Sequence, residues 1–302
     1  MILICGATGA LGGAIARELA TRGAELRTLV RAGSDADELE QLGAEVVRGD
    51  FRDPASLARA VAGVVTVVSG VTAISRMLAG REGRDGLREV DERGHLALVS
   101  AAERAGVERF VFISAAGMDT VPHVPIARAK LAVESRLRAS PLREVIVRPV
   151  AFQDVWLTPV AGLDWPKGTL TIFGKGQSKT CYVATADVAS AVAAWAVADD
   201  PPRAVDFGGP EGLTRNEAAD LIEDAAGRRL KRRHVPRLAL TIGSRALSRV
   251  KPEVATLMGL SLMSDSRDVP GDDAPLRELG IEPRSPRDFI RETVAAAASR
   301  DS

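Results

Sequence analysis

The chain is poor in the residues that carry redox, metal and acid–base chemistry. Its 302 residues include two cysteines, three histidines and a single tyrosine. Cys5 and Cys181 form neither a metal-ligand nor a dithiol spacing, so no metal site, disulfide framework or Cys-x-x-Cys centre is expected. That usage fits a reducing cytoplasm. No apolar run approaches the ~20 residues of a membrane span, and the apolar N-terminus is too short and too broken by glycine for a signal peptide. An excess of one charge is also lacking. Lys plus Arg and Asp plus Glu stand at 40 each, so the balance points to neither nucleic acid nor a membrane surface as partner. Lysine itself is scarce, confined to Lys130, Lys167, Lys175, Lys179, Lys231 and Lys251. The length suffices for one large or two modest domains.

What is present is concentrated at the start. Ile2-Leu3-Ile4-Cys5 reads as a short buried strand and breaks at Gly6-Ala7-Thr8-Gly9-Ala10-Leu11-Gly12-Gly13. A helical stretch at 14–22 follows, then a second strand at 26–30 that ends on Arg31. Strand, glycine turn and helix in this order form the context that a dinucleotide-binding turn requires. Gly6, Gly9 and Gly12 let the backbone turn, approach a pyrophosphate and pack the helix on the sheet. The spacing is G-x-x-G-x-x-G, one residue longer than the usual pattern. At the end of the second strand an NAD site normally has an acid for the ribose hydroxyl. Arg31 stands there instead, and a guanidinium can bind a 2′-phosphate bidentately. NADP is therefore expected rather than NAD.

Strand and helix patterns alternate to about residue 150, as in a parallel sheet with crossover helices. Strands are expected at 44–47, 64–68, 110–114 and 144–147, and helices at 35–42, 87–105 and 127–139. Asp53 with Pro54 reads as N-cap and first helical residue. The pattern changes at 151–180, where Pro159, Pro166, glycines and two tryptophans suggest loops and a hairpin. Gly174-Lys175-Gly176 reads as a hairpin turn. Asp187 is expected to N-cap a helix to about 198, and Thr214 with Glu217 forms a capping box. The cluster Arg228, Arg229, Lys231, Arg232 and Arg233 reads as a solvated face. The part beyond residue 234 reads as helical and loop-rich. Trp156 and Trp165 are candidates to line an apolar pocket, whereas Trp195 falls within a helix.

Several segments in this order resemble the atypical or extended short-chain dehydrogenase/reductase superfamily, within it the NmrA-like and complex-I-subunit-like group. They are Gly6-Ala7-Thr8-Gly9 to Gly12, Val30-Arg31, Gly49-Asp50, Ala105-Gly106-Val107 through Phe110 to Ser114, Lys130 with Glu134, Arg148-Pro149, Asp187-Val188-Ala189 and Gly208-Gly209-Pro210-Glu211. The resemblance implies an α/β Rossmann fold, a doubly wound parallel sheet of about seven strands, with a smaller mixed α/β substrate-binding domain. The Rossmann domain would span residues 1–150, completed by about 181–207, and the smaller region 151–180 and 208–302. Gly6, Thr8, Gly9, Ala10, Leu11 and Gly12 would cradle the pyrophosphate and Arg31 the adenosine phosphate. Asp50 and Phe51 would sit beside the adenine. Ser69 and Gly70 would line the path to the nicotinamide, and Lys130 would hold the ribose.

In that superfamily a Tyr four residues before a Lys moves the proton, and a Ser orients the substrate carbonyl. Ser114 and Lys130 match two of these positions. Ile126 occupies the Tyr position and has no proton to give. The one tyrosine, Tyr182, lies far along the chain. Three readings stay open. Lys130 acts as the acid, its pKa lowered by an apolar site; or His123, between two prolines ahead of the Lys130 helix, substitutes; or the domain binds NADP without chemistry, as a redox sensor. Asp119, Gln153 and Asp154 are weaker candidates for substrate contact. The expected reaction is hydride transfer to a carbonyl, quinone or activated double bond of a small apolar molecule. An epimerase or cyclase on the same fold is a further alternative.

Overall fold

The computed structural model describes residues 1–74 and 86–298. Contacts divide the chain into two compact units. One comprises Met1–Met118, Ile126–Arg148 and Val188–Val205; the other comprises Asp119–Pro125, Pro149–Asp187 and the chain from Asp206 onward.

A seven-stranded sheet is built from β1 (Ile2–Cys5), β2 (Leu26–Val30), β3 (Glu45–Arg48), β4 (Thr66–Ser69), β5 (Arg109–Ile113), β6 (Arg143–Pro149) and, after three strands of the second unit, β10 (Ala204–Phe207). The order is β10-β6-β5-β4-β1-β2-β3. β1 and β4 are buried at every position, as central strands covered on both faces are. They pair in parallel from Ile2 with Thr66 to Cys5 with Ser69. β2 and β3 lie on one side of β1, and β4, β5, β6 and β10 on the other. Strand order thus reverses between β1 and β4, where open α/β sheets bind ligands at the strands' carboxyl ends. Helices α1 (Ala10–Thr21) and Pro54–Val61 are crossovers, and Asp53 caps the latter with Pro54 behind it, as expected. The long helix expected at 87–105 begins as a π-helical turn, Arg88–Gly94, before continuing as His95–Arg104.

In the second unit β7 (Leu163–Asp164) and β8 (Thr169–Phe173) form the expected hairpin. β9 (Lys179–Thr180) pairs antiparallel with β11 (Leu213–Thr214). Thr214 and Glu217 form the capping box at the head of helix Arg215–Ala226. Leu157, Leu163, Leu170, Ile172, Ile222 and Phe289 belong to its core.

Three local expectations are corrected. First, the Gly174-Lys175-Gly176 turn does not join a hairpin: β8 pairs in parallel with β12 (Lys231–Val235). The turn's amides close on a carboxylate instead. Lys175 and Gly176 N–H donate to Oδ1 of Asp265 at 2.9 and 2.7 Å, and Arg237 grips the other oxygen. Second, the basic run is not merely a solvated face. Residues 231–235 form that strand, and Arg229 and Arg232 are tied to the buried carboxylate of Glu223. Third, Asp187 lies inside the first turn of helix Thr185–Val197, and its carboxylate accepts the Arg284 N–H at 2.9 Å.

Candidate cofactor and active site

Gly6 adopts a φ of +95°, in the left-handed region open to glycine. Its carbonyl accepts the Gly9 N–H at 3.0 Å. A Cβ on Gly12 would stand 2.2 Å from that carbonyl oxygen, so only glycine lets α1 pack this closely on the turn. The Gly13 N–H donates to the Gly9 carbonyl at 2.8 Å and begins the helical ladder. The amides of Ala10, Leu11 and Gly12 therefore precede it, at a helix start with no side-chain cap and no acid in its first turn. These features fit an anionic group held by backbone N–H and the helix dipole. A cleft of about 300 Å³ opens here, lined by Ala7, Thr8, Gly9, Arg17, Asp35 and Glu38 among others. Arg17 is bridged to Glu38.

Arg31, just past β2, lies near enough to Asp50 to act on its charge. Arg52 holds the Asp50 carboxylate through two side-chain bonds, at 2.9 and 2.6 Å, and a backbone N–H. Those bonds, with a smaller pull from Arg31, lower the Asp50 pKa to about 2. Phe51 is buried and meets the His95 ring edge-on at 5.0 Å.

A second cluster lies at the carboxyl ends of β4 and β5. Ser69 is fully buried, and its Oγ lies 3.0 Å from Nε2 of His95. Nδ1 of the same ring faces the carbonyls of Val90 and Asp91 at 3.2 and 3.1 Å. Carbonyls only accept, so Nδ1 carries the proton and Nε2 accepts from the Ser69 hydroxyl. Burial, then the nearby Lys130 charge, lowers the His95 pKa to about 3. Phe112 stands between the two bases. Its ring lies 5.1 Å from His95, and Nζ of Lys130 is 4.8 Å from its centroid. Gly70 packs against Ile113.

Lys130, on helix Pro125–Arg138, is buried, and its Nζ donates to the Ile113 carbonyl at 2.6 Å. Desolvation lowers its pKa, opposed by Asp91 and Glu134. Ser114 donates to Oε1 of Glu134 at 2.6 Å, so its only proton is committed. Burial raises the Glu134 pKa, but bonds from Arg148, Ser114 and Arg138 outweigh it and the net shift is downward. Ile126 is buried four residues before Lys130.

Other candidates, Asp119, His123, Gln153 and Asp154, belong to the second unit. His123 is exposed. Asp154 accepts the Thr185 N–H at 2.7 Å. Gln153 is fully buried, and neither amide atom has a partner among the described residues. Tyr182 is buried beside Arg215, with Trp156 and Ser261, around a cavity of about 20 Å³, room for one water. His95 carried no signal in sequence, because its meaning depends on Ser69, 26 residues earlier.

A family model described as NAD(P)H-binding matches residues 6–200. The chain belongs to this NAD(P)H-binding family. The photosystem II assembly factor Ycf39 of Trieres chinensis is 28% identical over 250 residues, covering 80% of this chain and 74% of that protein. The NAD(P)H azoreductase of Xenophilus azovorans is 28% identical over 229 residues, covering 76% and 74%. The NADPH-dependent quinone oxidoreductase of Escherichia coli, solved with NADPH, superposes with a TM-score of 0.76 at 19% identity, over 97% of this chain and 99% of that one. The family match agrees with the glycine turn in pointing to NAD(P)H as the cofactor. Among the described residues no helix is long and apolar enough to cross a membrane.

Proposed function

We propose that the chain is an NADPH-dependent reductase of a small apolar carbonyl, quinone or activated double bond, with Lys130 as its proton donor. The amides at the head of α1 hold the pyrophosphate, and Arg31 holds the 2′-phosphate and so favours NADPH over NADH. Bound there, the cofactor supplies the hydride. The observation that carries the reading is Lys130. It is a buried amine with a lowered pKa at the carboxyl end of β5, and its Nζ donates to a single carbonyl, that of Ile113. An ammonium has three donors. Two remain to hold a ribose hydroxyl and to give a proton to the substrate oxygen as hydride arrives at carbon; water then returns the proton to the amine. Ser114 serves as a positioning residue, because its proton is bound to Glu134. The two free cysteines suit a reducing cytoplasm.

The test has two parts. NADPH and NADH are titrated by nicotinamide fluorescence into wild type and Arg31→Ala; NADPH should weaken about 10-fold or more and NADH little. Wild type and Lys130→Met are then assayed on quinones, enones and azo dyes, and turnover should fall 10²–10⁴-fold with the cofactor still bound, the usual contribution of a general acid. NADPH binding that is unchanged in Arg31→Ala removes Arg31 from the reading. Turnover that survives in Lys130→Met removes Lys130.

A second reading is a non-catalytic NADPH-binding sensor or assembly protein. It is favoured by Ile126 in the Tyr position and by the resemblance to an assembly factor. Tight NADPH binding with no turnover on any of these acceptors supports it.

A further inference from the structure

The second unit has a surface that the reductase reading leaves unused. Helix Arg237–Ala246 turns its buried Leu240 and Ser244 inward. It also packs closely on helix Pro252–Ser266, since a Cβ on Gly243 would stand 2.3 Å from Cε of Met258. Leu238 and Ile242, one turn apart on the opposite face, are 69% and 57% exposed. Val250, in the connection, is 77% exposed, and Val254 follows at 38%. Helices normally bury such residues. Most of the large exposed aliphatic residues among the described residues fall within 238–254.

The same segment is one-sided in charge. Residues 225–252 contain no Asp or Glu but include Arg228, Arg229, Lys231, Arg232, Arg233, Arg237, Arg245, Arg249 and Lys251. Arg229, Arg232 and Arg237 are bound to carboxylates from outside the segment. Arg245, Arg249 and Lys251 are exposed, with no ion pair among the described residues. The zero net charge of the chain conceals this segregation.

We propose that this helix pair docks on an anionic lipid bilayer. Leu238, Ile242, Val250 and Val254 enter the acyl boundary, while Arg245, Arg249 and Lys251 meet the headgroups. The patch is aliphatic and lacks the Trp, Tyr and Phe anchors that dominate protein interfaces. A symmetric contact with a second copy would set its cations against one another. A short helix with an apolar stripe and flanking cations suits the interface plane of a bilayer. Helix Arg237–Ala246, about 15 Å long by its rise per residue, is too short to span one.

The test sediments the full chain with vesicles of phosphatidylcholine alone and of equimolar phosphatidylcholine and phosphatidylglycerol. Binding to the anionic vesicles only, weakened by salt, is expected. Arg245→Gln, Arg249→Gln and Lys251→Gln together should weaken it on the order of 100-fold, about fivefold per cation. Leu238→Ser with Ile242→Ser should weaken it as well, with NADPH binding retained as the check on folding. Val250→Trp should report a blue-shifted emission on anionic vesicles. No binding to either vesicle, binding unchanged by these substitutions, or an unshifted emission overturns the proposal. So does a concentration-dependent dimer that Leu238→Ser dissolves, which would make the patch a contact between copies.

Discussion

The Ser69 hydroxyl donates to Nε2 of His95 across 3.0 Å, with both side chains fully buried. The pair holds the imidazole neutral at the end of β4, and burial keeps the His95 pKa at about 3, against about 6.5 for an ordinary histidine. Below pH 6.5 an unfolded chain takes up a proton that the folded protein refuses. The stabilisation from a neutral His95 is thus fully present above pH 6.5. It declines as pH falls from 6.5 towards 3, at roughly 1 kcal/mol per pH unit. Denaturant unfolding between about pH 7 and pH 5, above most carboxylate titrations, should show this slope in wild type. His95→Gln should be less stable at pH 7 by about 1–3 kcal/mol and nearly flat across the window. An unchanged slope in the variant would assign the proton to another group.

Gly9 and Gly12 separate binding from folding. A Cβ on Gly12 would meet the Gly6 carbonyl oxygen at 2.2 Å, whereas one on Gly9 would meet it at 3.4 Å, an ordinary contact. Gly12→Ala must push α1 off the turn, and a loss of about 1–3 kcal/mol is expected along with loss of NADPH binding. Gly9→Ala should melt within a few degrees of wild type yet bind NADPH poorly, because the methyl enters the phosphate cradle. Thermal melts with and without NADPH decide this, since ligand raises the midpoint only where it binds. Ligand stabilisation that survives in both variants would move the pyrophosphate away from this turn.

These relationships explain what could be read in the sequence. Gly6 to Gly12, Asp53 with Pro54, and Thr214 with Glu217 act within seven residues, so their chemistry is local and visible. β1 and β4 are buried on both faces, which leaves a continuous apolar run. Other features are fixed by distant partners. The Gly174-Lys175-Gly176 amides read as a hairpin because their anion, Asp265, is supplied 89–90 residues later. Residues 231–235 form a strand despite their charge because they pair with β8. His95 shows nothing until Ser69 and the carbonyls of the π-helical turn surround it. The match of Lys130 and Ser114 to a familiar pattern was visible, but the commitment of the Ser114 proton to Glu134 was not.

Lys130 should set the alkaline limb of activity. Desolvation lowers its pKa below 10.5, while Asp91 and Glu134 hold it up. As an acid it must be protonated, so kcat/KM should fall as pH rises through that lowered value. In Lys130→Arg the guanidinium stays charged, and the limb should leave the measurable range even if the rate drops. The measurement is a pH profile of both proteins on one acceptor with saturating NADPH. A limb at the same pH in Lys130→Arg would show that a different group gives the proton.

Arg215 is a buried cation held by carbonyl oxygens. It donates to the carbonyls of Thr171 at 2.8 Å, Trp156 at 3.1 Å and Ala161, and lies 4.6 Å from the Phe173 ring centroid. Desolvation lowers its pKa to about 10, with Tyr182 opposing, so it stays charged at neutral pH. Its planar fork joins the turn before β7, β8 and helix Arg215–Ala226 in one grip, which a single ammonium cannot reproduce. Arg215→Met would strand buried carbonyls, at a cost on the order of 3 kcal/mol. Arg215→Lys should recover little of it. Urea unfolding should show the loss as a lower midpoint with an unchanged m-value. A midpoint within about 1 kcal/mol of wild type in Arg215→Met would mean that water satisfies those carbonyls and that the cation is not what holds the three segments together.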